Sequence, residues 1–284
     1  MSSYKIDYDQ LRQTPEIKGL LSALERGFEK IGIDYYLVGA VARDVWMSGI
    51  NNIAPRRTTA DIDFAVLIND KGDYEALKEY LVSTEGFQPT KENAFVLLWK
   101  DRTEVDLMPF GAIEDEEAKV TIQGTGFTTL HVPGFAEVYE EGLPEVEVAE
   151  QHTFKFCSLP GIVVLKLLAW DDRPEVRRDD IKDISDILNH FFDMYDEEIW
   201  GNHFDLFGDE YIDTLHTAAR VMGREVKKIA RRNDKLFARI TNIITNNTAA
   251  ADSSKIAAIM TEHFENTVED SLKLLLQIQK GLTE

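Results

Sequence analysis

The chain has 284 residues, 44% of them hydrophobic, with one cysteine and a formal net charge of −20, enough length for two modest domains with real cores. Cys157 alone permits no internal disulfide, no charged-then-apolar leader opens the sequence and no apolar run approaches about 18 residues, so neither secretion nor membrane spanning is expected and a cytoplasmic location is. The acidity argues against a surface broadly adhesive to nucleic acid, and the six histidines, His131, His152, His190, His203, His216 and His263, show no zinc-ligand spacing and read as surface or interface residues.

In chain order, a helix is predicted over Gln10 to Lys30, and the apolar run Tyr35-Tyr36-Leu37-Val38 reads as a buried strand. Gly39 ends that strand at a tight turn, and Ala40 to Met47 has helical composition. A strand-glycine-helix unit can hold phosphate, because free N–H groups and the positive end of the helix dipole lie beyond the glycine, and a residue without Cβ permits close approach. Asn51 to Pro55 reads as an insertion, and Arg56-Arg57-Thr58-Thr59 as a basic, hydroxyl-bearing lead-in. The next strand, Ala60 to Ile68, points Asp61 and Asp63 to one face. Neighbouring carboxylates repel unless a cation lies between them, which makes the pair a natural Mg²⁺ site. A lone Asp-x-Asp is more often a solvated face or a turn flank; the glycine turn, the basic lead-in and a later acidic strand together make the site reading more economical. After a helix over Asp73 to Ser83, Ala94 to Trp99 and Glu104 to Phe110 read as hairpin arms around Lys100-Asp101-Arg102-Thr103. Asp106 lies on the second arm with Glu104 on the same face. If that arm pairs beside the Asp61 strand, three carboxylates converge.

Strand-like pieces at Lys119 to Gln123, Thr128 to Val132 and Val146 to Phe156 follow, and from Ser158 onward the pattern is helical. Ser158 is placed to cap a helix with Pro160 in its first turn. Lys166 is the one charge in the apolar run to Trp170, so it either reaches solvent along its stem or faces a polar cleft that awaits an anion; composition alone favours solvent. In the next helix, Asp179 to Phe192, Ile181, Ile184, Ile187 and Leu188 form a core stripe. Asp183 and Asp186 share a neighbouring face, in salt bridges to Arg173, Arg177 or Lys182 or in a site. Between Ala218 and Ile240 eight basic residues face two acidic ones, and Arg220, Arg224, Lys227, Arg231 and Lys235 follow helical spacing, as a solvated face or an RNA-backbone track. Ser271 to Leu282 reads as a closing amphipathic helix. The pattern predicts an α/β (α+β) architecture: a mixed-sheet domain over residues 1–157, then an all-helical domain over 158–284 that closes a cleft.

The segments Leu37-Val38-Gly39-Ala40-Val41-Ala42-Arg43-Asp44 and Arg57-x-Thr59-x-Asp61-x-Asp63 resemble the polymerase-beta-like nucleotidyltransferase superfamily. The first is similar to the head motif of CCA-adding enzymes and poly(A) polymerases, the second to the AbiEii-like abortive-infection toxins. Lys166, Arg173 and Lys182-Asp183-Ile184-Ser185-Asp186 extend the likeness to the toxins, and the whole resemblance covers Tyr35 to Phe110 and Ser158 to Asn189. Ala40 departs from the usual second Gly or Ser, the spacer from Gly39 to Asp61 is long, and the Glu-Asp-x-x-Arg segment that templates CCA addition does not occur.

The resemblance implies transfer of NMP from an NTP to an acceptor hydroxyl with release of pyrophosphate. Asp61, Asp63 and Asp106 would hold two Mg²⁺ ions, with Asp106 also taking the acceptor's proton. Gly39, Ala40, Arg57, Thr59 and Lys166 would bind the triphosphate, and Asp183 and Asp186 would place nucleotide or acceptor. It further implies a toxin-like role with tRNA lying along 220–239 and an antitoxin-like protein partner. An aminoglycoside-type adenylyltransferase would instead meet a cationic acceptor with acidic surface, for which Glu114 to Glu117 and Glu137 to Glu150 are candidates. With Ala40 in the glycine turn, a nucleotide-binding or partner-binding member of the fold without transfer activity is the third reading.

Overall fold

The computed structural model describes residues 3–11, 16–54, 61–100, 102–208 and 213–284; the lead-in at 56–59 lies outside them. The chain divides into two compact units, Met1–Ser158 and Leu159–Glu284.

The first unit opens with β1 (Ser3–Ile6), α1 (Tyr8–Leu11) and α2 (Ile17–Ile31). Of the helix expected over Gln10 to Lys30, the structure describes α1 and α2, and residues 12–15 between them lie outside the described residues. α2 buries Leu20, Leu21, Leu24 and Phe28 along one stripe. β2 (Tyr35–Leu37) runs into α3 (Gly39–Asp44), which continues as a π-helical turn over Val45–Ile50. Next come β3 (Asp61–Leu67), α4 (Lys71–Tyr80), a second π-helical turn over Leu81–Glu85, β4 (Gln88–Pro89), β5 (Val96–Leu98) and β6 (Glu104–Phe110). The hairpin β7 (Lys119–Thr121) and β8 (Thr129–His131), α5 (Phe135–Glu141), β9 (Glu145–Val148) and β10 (His152–Lys155) complete the unit.

Five strands form the main sheet in the order β2-β3-β6-β5-β4, in which only the β3–β6 pair is parallel. β1, β9 and β10 form a second sheet, joined to the first by a bridge from Leu37 to Phe156. The core between them is aromatic: Phe28 stacks on Tyr35 with ring centroids 4.0 Å apart, and Phe64 and Phe154 pack at 6.0 Å. The one strand expected over Val146 to Phe156 is instead the antiparallel pair β9 and β10. It reverses at Ala149 and Glu150, both left-handed with φ of 50° and 55°, a conformation that composition does not announce.

The second unit is helical: α6 (Leu159–Asp172), α7 (Arg178–Met194), α8 (Asp196–Asn202), α9 (Thr214–Ala230), α10 (Asp234–Thr248), α11 (Lys255–Phe264) and α12 (Val268–Thr283). α9 and α12 cross with their backbones in contact, because Gly223 lies against the Ile278 carbonyl and Gly281 against that of Arg220. The basic stretch 218–240 is not one helix. Asn233 interrupts it, its side chain capping α10 by accepting from the N–H groups of Lys235 and Leu236. Together the two units form a mixed α/β fold with a helical C-terminal region, and no helix among the described residues is long and apolar enough to cross a membrane.

Candidate active site

The acidic face begins with strand pairing. β3 and β6 run parallel in a register that sets Asp61 opposite Glu104 and Asp63 opposite Asp106. Paired residues of adjacent strands lie about 4.8 Å apart and point to the same side. Asp61, Asp63, Glu104 and Asp106 therefore share one face, while Ile62, Phe64 and Val105 between them are buried on the other. The hairpin expected around residues 100–103 is present: β5 pairs β6 with Val96 opposite Asp106, and the Trp99 N–H donates to the Thr103 carbonyl at 2.8 Å.

Gly39 stands over this face. Its φ is +64°, and the Val38 N–H donates to the Asp63 carbonyl at 3.0 Å. A Cβ on Gly39 would lie 2.9 Å from Asp63 Cγ and closer still to Oδ2. The glycine is thus required twice, by its backbone and by the carboxylate it touches. Ala40, at the position where the motif it resembles has Gly or Ser, is buried, its methyl being part of the core. Arg43, one turn on, is 1% exposed and holds Asp44 through Nη2 at 2.6 Å. The motif contains it, but no spacing rule marks it as an internal guanidinium. Cys157 is structural: its carbonyl accepts from Trp46 Nε1 at 2.9 Å, its N–H donates to Leu37, and burial pushes its thiol pKa far up.

The donor set fits a hard cation, since Mg²⁺ prefers oxygen ligands and the face offers carboxylates from two neighbouring strands. Among the described residues, the set of three ligating side chains whose atoms already lie within 4.8 Å of one another is elsewhere, at Glu198, His203 and Glu225. Arg57 and Thr59 lie outside the described residues.

In the helical unit, Lys166 does not reach solvent along its stem, the reading that composition alone favours. It is buried, and its Nζ donates to Asp180 at 2.8 Å and to Asp183 at 2.9 Å. Two carboxylates from α7 already meet its charge, the arrangement a buried ammonium needs. Asp183 and Asp186 are separated in role: Asp183 is wholly buried against Lys166, while Asp186 faces His263 at 3.9 Å. The bridges that do form nearby join Arg177 to Asp180 and Lys182 to Asp179 and Glu262.

In the basic stretch, Arg220, Arg224, Lys228 and Arg239 are matched by acids. Arg220 and Arg224 hold the Glu284 carboxylate, Arg224 also grips Asp205 through two hydrogen bonds of 2.8 and 2.6 Å, and Lys227 donates to the Glu284 carbonyl. Arg239 bridges Asp171 and Asp172 at 2.9 and 2.6 Å, and the Arg231 guanidinium stacks 3.7 Å over the Phe237 ring.

The acidic candidates Glu114 and Glu137 are not near the aspartates. Asp61 and Asp63 occupy the N-terminal half of β3, and Glu114 follows the C-terminal end of β6, roughly 20 Å away along strands of this length. There Glu114 accepts from the Gly111 N–H at 2.7 Å, and its pKa is raised by burial and by the neighbouring Glu137 and Asp115.

No family model and no curated protein matches the chain. Among solved structures, that of the antibiotic-resistance factor ANT(2'')-Ia is similar at a TM-score of 0.37 and 12% identity, over 81% of this chain and 97% of that one. A likeness of that size leaves the functional argument to the residues themselves.

Proposed function

We propose that the chain transfers a nucleoside monophosphate from an NTP to an acceptor hydroxyl, releasing pyrophosphate. The observation that carries this reading is the parallel register of β3 and β6, which puts Asp61, Asp63 and Asp106 on one face under the Gly39 turn. Asp61, Asp63 and Asp106 are the residues to hold Mg²⁺, which supplies neutralisation of phosphate charge and a lowered pKa at the acceptor hydroxyl. The chain's own groups complete the chemistry. The backbone N–H groups after Gly39 donate to phosphate oxygens, and the motif resemblance assigns Arg57 and Thr59 to the triphosphate as well. Asp106 takes the hydroxyl proton as the acceptor oxygen bonds to the α-phosphorus and the bond to pyrophosphate breaks. Lys166 and Asp183 act by holding α6 to α7.

Two acceptors are consistent with this chemistry, and the pairing of the basic stretch favours the smaller. An RNA track needs cations available to phosphates, whereas Arg220, Arg224 and Arg239 are engaged with carboxylates. For a cationic small molecule, Glu104 is the carboxylate to meet an ammonium, being exposed on the same face and in register with Asp61. The tRNA acceptor, the toxin role, the antitoxin-like partner and kinship with the AbiEii-like enzymes are carried by motif resemblance.

Asp61→Asn tests the reaction. We expect it to lower kcat/KM for NMP transfer by at least about 100-fold, roughly 2.7 kcal/mol, with the unfolding midpoint unchanged or raised by relief of repulsion; undiminished turnover refutes the assignment. Charge reversal at Arg231 and Lys235 separates the acceptors, leaving a small-acceptor enzyme at its original rate and crippling one that uses tRNA.

A further inference from the structure

A second cluster lies in the helical unit, among residues that the proposed transfer does not use. Glu198 on α8, His203 just after it and Glu225 on α9 each offer one ligating atom, and these atoms lie within 4.8 Å of one another. His203 Nε2 is 3.2 Å from Glu225 Oε1 and 4.0 Å from Glu198 Oε1. The cluster is not a solvated acidic patch, since His203 is 4% and Glu225 9% exposed. His203 Nε2 is buried without a hydrogen bond, while Glu225 Oε1 is held by the Lys228 ammonium at 2.6 Å. Buried polar atoms are satisfied in the great majority of cases, and an orphaned imidazole nitrogen aimed at two carboxylates asks for a cause.

We propose that Glu198, His203 and Glu225 bind a first-row divalent transition-metal ion of the Zn²⁺ type. Ligands at about 2.0–2.2 Å from such an ion stand roughly 3.3–3.6 Å apart in a tetrahedron. His203 and Glu225 are already near that spacing, and Glu198, the most exposed of the three at 35%, has the freedom to close on it. One imidazole nitrogen with two carboxylate oxygens suits Zn²⁺ better than Mg²⁺, which favours oxygen and keeps its waters. An internal cation marks the place: Lys228 Nζ lies 2.6 Å from Glu225 Oε1 and 3.7 Å from Glu198 Oε1, on a side chain 47% exposed that can withdraw to water. With the ion on Nε2 the ring proton sits on Nδ1, now 3.3 Å from Arg224 Nη1, and Arg224 turns onto Asp205 and Glu284, which it already holds. The ion then staples α8 to α9. Spacing rules miss this site because its ligands come from residues 198, 203 and 225 of separate elements.

Calorimetric titration of Zn²⁺ into the Asp61→Asn/Asp63→Asn protein tests the proposal without contribution from the aspartate face. We expect one equivalent bound and a higher unfolding midpoint with Zn²⁺. Binding should be lost in His203→Ala, weakened at least tenfold in Glu198→Gln, where the substituted side chain is partly exposed and folding is safe, and tightened in Lys228→Met as the competing ammonium goes. Absence of saturable uptake by the folded protein, or uptake that survives both His203→Ala and Glu198→Gln, overturns the proposal. So does an affinity indifferent to Lys228→Met.

Discussion

Gly39 joins the backbone to the chemistry. Its left-handed φ and its contact with the Asp63 carboxylate mean that Gly39→Ala must strain the turn and push Asp63 aside. The backbone alone costs about 1–2 kcal/mol, so urea unfolding should show that loss, together with at least a tenfold fall in transfer. A variant with wild-type stability would mean that the turn relaxes freely. Lys166 makes the contrasting case of a charge whose role is structural. Lys166→Met leaves Asp180 and Asp183 buried without their ammonium, a loss of about 3–5 kcal/mol. Adding Asp180→Asn and Asp183→Asn should restore much of it, and a triple variant no more stable than the single would exclude this pairing as the cause. The sequence marks Gly39, Asp61, Asp63 and Asp106 because glycine at a strand end and alternating acids on a strand are local patterns. It does not reveal that Lys166 is buried, because its two partners lie 14 and 17 residues away and only helix packing brings them to it.

At the level of elements, the local periodicities locate β2, β3, β5 and β6 to within a residue or two, and the adjacency of β3 and β6 is what they leave open. That pairing joins strands with a helix and two further strands between them in the chain, so it depends on tertiary closure, not on any window of sequence. Turns built on non-glycine residues are invisible for the opposite reason, being local but without a compositional mark, as at Ala149 and Glu150. The contact of α9 with α12 is set by two glycines that read only as helix-weakening residues. A Cβ at Gly223 would meet the Ile278 carbonyl carbon at 3.0 Å and its oxygen nearer still, and main chain has no rotamer to escape into. Gly223→Ala should therefore cost about 1–3 kcal/mol despite its better helix propensity. A thermal melt followed by circular dichroism measures this, and a stabilised variant would show that the helices part without penalty.

Across the whole molecule, charge and chemistry point the same way. A net charge of −20 repels polyanions at long range, and Arg220, Arg224, Lys228 and Arg239 are held by acids of the same unit. An NTP is a polyanion as well, so binding at the aspartate face requires a cation to reverse the local field. Nucleotide affinity should thus be metal-dependent at this site. Calorimetric titration of each of the four NTPs, with and without Mg²⁺, into the wild type and Asp63→Asn measures this directly. We expect at least one NTP to bind only with Mg²⁺, and Asp63→Asn to abolish the binding while keeping the wild-type unfolding midpoint. Failure of every NTP to bind the folded wild type, or binding that persists in Asp63→Asn, would contradict this expectation.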